Sequence, residues 1–408
     1  MSTRTQPWLT ILGIGEDGVD GLSQAGRSAL QAASLVYGGA RHLELLQGNS
    51  VSTDCEMKAW PSPFSKGIEE LAANRGQNTV VLATGDPQWF GIGATLHRRF
   101  SAEEIEVIPH LSAFSLAASR LGWPLQNVET ISLHGRPLDT LRGFLYPGAR
   151  IIALTSNGEA PGEIADLLAD EGYGASTLTV LERLGGPQEK VTVCEAEEFS
   201  GKAAELNTVA IEAKPIPNTP VLSRTPGLPD SAFRHDGKMT KQEVRAVTLA
   251  KLAPISGQLL WDIGAGSGSI GIEWLRAAMN TKAIAIEPLE KRHVFIRGNA
   301  AALGTPQLQL VEGKAPEALD DLPQPDAIFV GGGLTSTDII KTCFEALPSG
   351  GRLVANAVTL EGEQVLAQSW KKYGGELCRL AISRADPIGG LTGWRPMMPV
   401  TQWSLVKS

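Results

Sequence analysis

The chain has 408 residues, 42% of them hydrophobic and 20% charged, with a formal net charge of −8. That length exceeds one ordinary core and predicts two or three domains. The acidic balance argues against a general nucleic-acid binder, which carries a basic excess.

Cys55, Cys194, Cys343 and Cys378 form no C-x-x-C pair, and the six histidines fall at no ligand spacing. Neither a metal site nor a disulfide framework is expected, and the thiols suit a reducing compartment. The first residues hold no long apolar signal core and no run approaches a membrane span, which predicts a cytoplasmic protein with no membrane partner.

Trp8–Leu12 reads as a strand running into Gly13-Ile14-Gly15-Glu16-Asp17-Gly18, and Leu22, Ala25, Ala29 and Ala33 space out a helix behind it. A short strand at Leu35–Tyr37 and a helix through Ile68, Leu71 and Ala72 precede Thr79–Thr84, a compact apolar strand followed at once by Gly85-Asp86-Pro87. Ile105–Pro109 is another strand, and Ser112 is a natural N-cap for a helix over Phe114–Leu121. Strands at 130–133, 150–155, 177–182, 190–194 and 208–212, with a helix at 163–170, complete an α/β pattern that predicts a largely parallel sheet.

Pro215, Pro217, Pro220, Pro226 and Pro229 then crowd one stretch, which suits a stiff connector. The expected division is a first domain over 1–212, a linker over 213–228 and a second domain over 229–408. Thr240 and Glu243 have capping-box spacing before a helix over Lys241–Leu252. Strands at 259–263, 282–287, 308–312, 327–330 and 351–355 alternate with helices, and a hairpin of 377–383 with 400–406 closes the pattern.

Leu259–Ile263 runs straight into Gly264-Ala265-Gly266-Ser267-Gly268 and then an apolar helix, a strand–turn–helix that lets backbone approach a ligand closely. Glu287 ends the next strand roughly 20 residues on, where nucleotide folds place the carboxylate that accepts ribose hydroxyls. Position 269 is Ser, so the third glycine of the dinucleotide fingerprint is missing. A nicotinamide oxidoreductase is disfavoured on that ground.

In this half the chain resembles the class I, Rossmann-like, S-adenosylmethionine (SAM)-dependent methyltransferases. The resemblance implies SAM contacts at Thr240, Gly264, Ala265, Gly266, Ser267, Gly268, Glu287 and Ala315. The Gly331-Gly332-Gly333 loop should then face the methyl group. The first half resembles the tetrapyrrole (corrin/porphyrin) methylases through Gly13–Gly18, Thr84-Gly85-Asp86-Pro87 and Pro109-His110-Leu111-Ser112. That family's class III fold pairs two α/β subdomains around a folded SAM, implying contacts at Gly85, Asp86, Leu111 and Ser112. Here His110 and Ala113 replace the family's usual Gly and Ser.

The fusion resembles the bifunctional methyltransferases of the corrin pathway. It implies one SAM per domain, methylation at C5 by the first domain, and C15 methylation with loss of the C12-acetate carboxyl by the second. A tetrapyrrole substrate and a homo-oligomer assembled through the second domain are implied with it. Such a substrate carries many carboxylates, so Arg234, His235, Lys238, Lys241 and Arg395 are candidate partners, and Trp394 could stack on the ring. No catalytic residue is assigned, because transfer from a sulfonium to an electron-rich carbon needs alignment more than a strong base. Two other readings stay open: a methyltransferase acting on RNA or another small molecule, and a non-catalytic SAM or tetrapyrrole binder.

Overall fold

The computed structural model describes residues 7–47 and 55–408. It divides into two compact units. One holds the described residues up to Arg136 together with Pro147–Thr219, and the other holds Pro137–Tyr146 together with Pro220–Ser408.

In the first unit, strands β1 (Leu9–Ile14), β2 (Leu35–Gly38), β3 (Glu56–Ala59), β4 (Thr79–Thr84) and β5 (Ile105–Ile108) form a parallel sheet ordered β3-β2-β4-β1-β5. β1 and β4 are apolar almost throughout because both their faces are covered, as parallel strands require. Leu9, Ile11 and Val81 pack with Leu71 and Leu96 of helices α3 (Phe64–Ala73) and α4 (Gly93–Leu96) on one side. Leu12, Ile14 and Leu82 pack with Leu30 of α1 (Gln24–Ala32) on the other. Each such fully buried aliphatic side chain contributes about 1.5–3 kcal/mol. A short α2 (Ala40–Glu44) follows β2.

Helix α5 (Ala113–Leu121) leads into a second sheet of β6 (Glu129–Ser132), β7 (Arg150–Leu154), β8 (Thr177–Glu182), β9 (Lys190–Glu195) and β10 (Asn207–Glu212), ordered β6-β7-β10-β8-β9. Only β6 and β7 pair in parallel, and every other pairing is antiparallel. The expectation of a largely parallel arrangement therefore fails for this sheet. The brief Arg183–Glu189 connection between β8 and β9 allows a hairpin but no crossover. α6 (Ala160–Asp170) is the crossover that keeps β7 and β8 in the same direction.

In the second unit, β11 (Leu259–Ile263), β12 (Lys282–Glu287), β13 (Gln309–Glu312), β14 (Ala327–Val330), β15 (Arg352–Ala357), β16 (Glu376–Leu380) and β19 (Val400–Val406) form one sheet ordered β13-β12-β11-β14-β15-β19-β16. β19 alone runs antiparallel to its neighbours. α7 (Gln242–Leu252), α8 (Ser269–Ala277), α9 (Glu290–Ala302), α10 (Ile339–Ala346) and α11 (Leu360–Tyr373) flank it. The closing hairpin contains an element absent from the sequence reading, a two-stranded ribbon of β17 (Ser383–Ile388) and β18 (Leu391–Pro396) turning at Gly389-Gly390.

The capping box before α7 does not form. Lys241, not Thr240, is the N-cap, and no side chain of the segment caps it. Asp230 supplies the missing acceptor, taking the Gln242 N–H at 2.9 Å. Arg245, fully buried, donates to Asp230 at 2.8 Å, to Glu273 of α8 at 2.8 Å, and to the carbonyls of Thr240 and Leu228. A charged acceptor held by a buried guanidinium outcompetes a threonine hydroxyl for the helix end.

The proline-rich stretch is fastened down at its far end. Gly227 and Leu228 donate their N–H groups to Glu273, the Leu222 carbonyl accepts from Arg276, and Leu228 sits in a core with Phe233, Met239 and Ile272. A 3₁₀ segment, Leu138–Phe144, belongs to the same unit. There Gly143 meets Gly304 backbone to backbone, so closely that a Cβ on Gly304 would lie 2.1 Å from the Gly143 nitrogen. Arg224 lies over the Phe144 ring at 4.6 Å.

Candidate active sites

In the second unit the sheet order reverses direction of growth between β11 and β14, the crevice where open α/β sheets hold ligands. Gly264, Gly266 and Gly268 all have positive φ, and Gly268 is the N-cap of α8. A Cβ on Gly264 would lie 2.6 Å from the Gly332 nitrogen, so the β11 and β14 loops touch without room for a side chain. Glu287, buried at the end of β12, accepts the N–H of Gly266 at 2.8 Å and of Leu289 at 3.1 Å, with Arg292 Nη1 3.6 Å away.

Beneath the turn, Asp262 accepts the Gly271 N–H at 2.9 Å through Oδ2, while its buried Oδ1 has no partner. Burial pushes its carboxyl up to about 7, against the opposing pull of the Gly271 bond, with the Glu287 charge adding to the rise.

These loops open on a cavity of about 950 Å³. Its walls are mainly apolar: Ala265, Ile286, Leu289 and Ala315 toward β12 and β13, and Phe329, Val358, Ile382, Met397 and Met398 toward β14, β15 and the ribbon. Asn356 also faces it, with its amide tied to Thr248 at 3.0 Å and to Gln402 at 2.9 Å. Lys238, Lys241 and Lys314 supply cationic groups to the lining. A carboxylate, a bare glycine turn and apolar walls fit the ribose, the backbone-contacting edge and the adenine of a nucleoside. This chemistry suits SAM, which brings no phosphate to bind.

Of the sequence candidates here, Thr240, Gly264, Ala265, Gly266, Glu287 and Ala315 line the cavity together with Lys238, Lys241 and the Gly331-Gly332-Gly333 loop. Ser267 is buried behind the turn with no partner for its hydroxyl, and Gly268 caps α8; neither lines the cavity. Arg234, His235 and Arg395 lie outside it. Asn299 grips the Arg234 backbone on both sides, His235 accepts the Gly237 N–H, and Arg395 pairs with Asp386 within the ribbon. Trp394 is 75% exposed on β18, also away from the cavity lining. Lys314, Phe329, Asn356 and the Met397-Met398 pair were not singled out by sequence. Their common signal is position, at or just beyond strand ends.

In the first unit the three motif loops converge. A Cβ on Gly13 would lie 2.0 Å from the Gly85 carbonyl and 2.5 Å from the His110 nitrogen. Gly85 has φ +60 and packs on Leu111 and Ser112, where a Cβ would meet the Leu111 carbonyl at 3.0 Å. Ser112 caps α5 by accepting the Ser115 N–H at 3.1 Å. Asp86 accepts the Gln88 N–H at 2.8 Å, an Asx turn before the exposed Trp89 and Phe90. Leu111 is 59% exposed. His110 ties its loop to the first one through the Gly21 carbonyl, 3.2 Å from Nε2.

Residues 9–200 match the family model of tetrapyrrole (corrin/porphyrin) methylases, and residues 231–407 match that of the precorrin methyltransferase domain. A Sinorhizobium protein named precorrin-6Y C(5,15)-methyltransferase [decarboxylating] is 52% identical over 402 residues, covering 98% of this chain and 97% of its own. A Mycobacterium tuberculosis protein of the same name is 42% identical over 404 residues, covering 98% of this chain and all of its own. The second half alone matches a Pyrobaculum calidifontis protein named probable cobalt-precorrin-6B C(15)-methyltransferase (decarboxylating). It is 37% identical, spanning 43% of this chain and 93% of that one.

Proposed function

Because the chain belongs to the family of decarboxylating precorrin-6Y C(5,15)-methyltransferases, we propose that it carries out two methyl transfers and one decarboxylation on a precorrin. The first unit methylates C5. The second methylates C15 and releases the C12-acetate carboxyl as CO2. SAM, one molecule per unit, supplies the electrophilic methyl group. The observation that carries this reading is the carboxylate-closed glycine turn opening on one wide apolar cavity with lysines in its lining.

In the second unit Glu287 would take the ribose hydroxyls, while Gly264, Ala265, Gly266 and Thr240 border the donor and Ala315 backs its adenine. Lys238, Lys241 and Lys314 hold peripheral carboxylates by charge-assisted hydrogen bonds. Phe329, Ile382 and Met397 exclude water around the acceptor carbon. A carboxylate placed among such groups loses hydration that neutral CO2 does not need. The C–C bond then breaks with its electron pair passing into the conjugated ring, and a proton is taken up at the remaining carbon. In the first unit Gly85, Asp86, Leu111 and Ser112 form the donor's edge of the site.

The exposed Ile388, Leu391, Trp394 and Met398 in and beside the ribbon support self-association through the second unit. No described helix is long and apolar enough to cross a membrane. The four free cysteines favour the reducing cytoplasm.

Incubation with a precorrin-6 substrate and methyl-labelled SAM tests the proposal. Two labelled methyl groups gained and one CO2 released per product are expected. A product that keeps every carboxyl, or gains label at a single carbon, would overturn it.

A further inference from the structure

The ribbon of β17 and β18 is exposed along almost all of its length, yet its root forms part of the second unit's cavity. Ile382 and Met397 both line that cavity, and the Met397 N–H donates to the Ile382 carbonyl at 2.9 Å just below the first ribbon pair. Two residues on, Arg384 reaches out of the ribbon. Its Nε and Nη2 donate to the two Glu243 oxygens at 3.1 and 2.6 Å, and its Nη1 and Nη2 donate to Asp230 Oδ2 at 3.3 and 3.2 Å. Arg395, opposite it on β18, pairs with Asp386 inside the ribbon instead.

Glu243 lies in the first turn of α7, and Asp230 holds the start of that helix through the Gln242 N–H. Lys238, Thr240 and Lys241, which lead into the helix, line the same cavity, as does Val244. Arg384 therefore joins two walls of one cavity without lining it. The Asp230 oxygens are divided: Oδ1 serves Gln242 and the buried Arg245, while Oδ2 serves Arg384. The α7 wall thus has its own anchor, and the fork ties the ribbon root to it. A bidentate guanidinium fixes direction as well as distance, which a lysine cannot reproduce.

We propose that Arg384 is a positioning residue for methyl transfer in the second unit, its fork on Glu243 and Asp230 holding Ile382 and Met397 against the acceptor. Such a transfer needs the reacting carbon aligned and water excluded, and both depend on the distance between these walls. The inference rests on the methyltransferase reading above; the clamp geometry does not.

The test compares wild type with Arg384→Met, Arg384→Lys, Glu243→Ala and the double variant Arg384→Met/Glu243→Ala, all full length. Labelled-methyl transfer to C15 and C5 is followed by NMR, S-adenosylhomocysteine (SAH) binding by calorimetry, and assembly by light scattering. Arg384→Met should lower kcat for C15 methylation about tenfold or more. SAH affinity, C5 methylation and Tm should stay near wild type, since exposed ion pairs add little stability. Arg384→Lys should recover part of the rate, Glu243→Ala should lower it less than Arg384→Met, and the double variant should match Arg384→Met. Full activity in Arg384→Met, effects that add in the double variant, a changed assembly mass, or SAH affinity falling in step with kcat would overturn the proposal. So would a Glu243→Ala variant that binds the precorrin more tightly, because Arg384 would then be a substrate contact. Failure of the wild type itself to methylate C15 would instead overturn the reading on which the inference rests.

Discussion

Replacing Arg245 by Met is expected to uncouple the second unit's cofactor side from its scaffold. Methionine keeps most of the length but removes every donor. Glu273, 1% exposed, would then keep only the Gly227 and Leu228 N–H bonds, and the Thr240 and Leu228 carbonyls would lose their partner. Asp230 would be less affected, since Arg384 and the Gln242 N–H still hold it.

Breaking a buried pair from one side costs about 3–5 kcal/mol. At roughly 2–4 °C per kcal/mol for a unit of this size, the Tm should fall by roughly 6–20 °C. Scanning calorimetry of the full chain measures this. The double variant Arg245→Met/Glu273→Met removes the stranded carboxylate and should recover part of the loss. A single variant as stable as wild type, or a double variant whose losses simply add, would refute the idea that an uncompensated buried charge is the cause. Because Thr240 lines the cavity, SAH affinity should fall in the single variant even well below its Tm.

Gly264→Ala combines a left-handed backbone, costing about 1–2 kcal/mol, with a Cβ forced against the Gly332 backbone; SAH titration should show at least a tenfold weakening, and unchanged affinity would mean that the two loops separate freely. Glu287→Gln should weaken SAH binding by roughly 10–150-fold, the loss of a charged acceptor worth about 1.5–3 kcal/mol, with little change in Tm. For Asp262 the folded-state pKa, about 7, lies above the ordinary 3.8. Between these values the folded protein binds the extra proton, so this group's contribution to stability falls as pH rises from about 4 to about 7 and then levels. Asp262→Asn should abolish that fall, seen as a Tm difference between variant and wild type that grows over the same interval; a constant difference would count against it.

Local chemistry made part of this molecule readable from sequence. Thr79–Thr84 and Thr177–Glu182 were delimited by apolar runs ending in turn residues, and Ser112 capped the helix it preceded. The glycine turn and Glu287 were found by spacing because strand, turn and strand are contiguous in chain. What failed was set from afar. Thr240 lost the α7 terminus to Asp230, whose hold depends on Arg245 and Glu273, a buried trio no local window contains. Lys314, Phe329 and Asn356 met only through the register of β13, β14 and β15.

Two misses had a visible cue. The Arg183–Glu189 connection is too brief for a parallel crossover, and Gly389-Gly390 between Ile388 and Leu391 is a two-residue hairpin loop in plain sight. Arg234, His235 and Arg395 show the converse limit, since a charge near a motif in sequence need not reach the cavity the motif builds.

The Gly143–Gly304 junction bears on how the polypeptide can be divided. Severing it between Thr219 and Pro220 gives a leading fragment that still holds Pro137–Tyr146, a piece of the second unit, and a trailing fragment with a vacated seat at Gly304. The two products are not self-sufficient modules but a complementing pair. Supplying Pro137–Tyr146 as a synthetic peptide should raise the melting temperature of the trailing fragment, whereas a trailing fragment carrying Gly304→Ala, whose Cβ would lie 2.1 Å from the Gly143 nitrogen, should not respond.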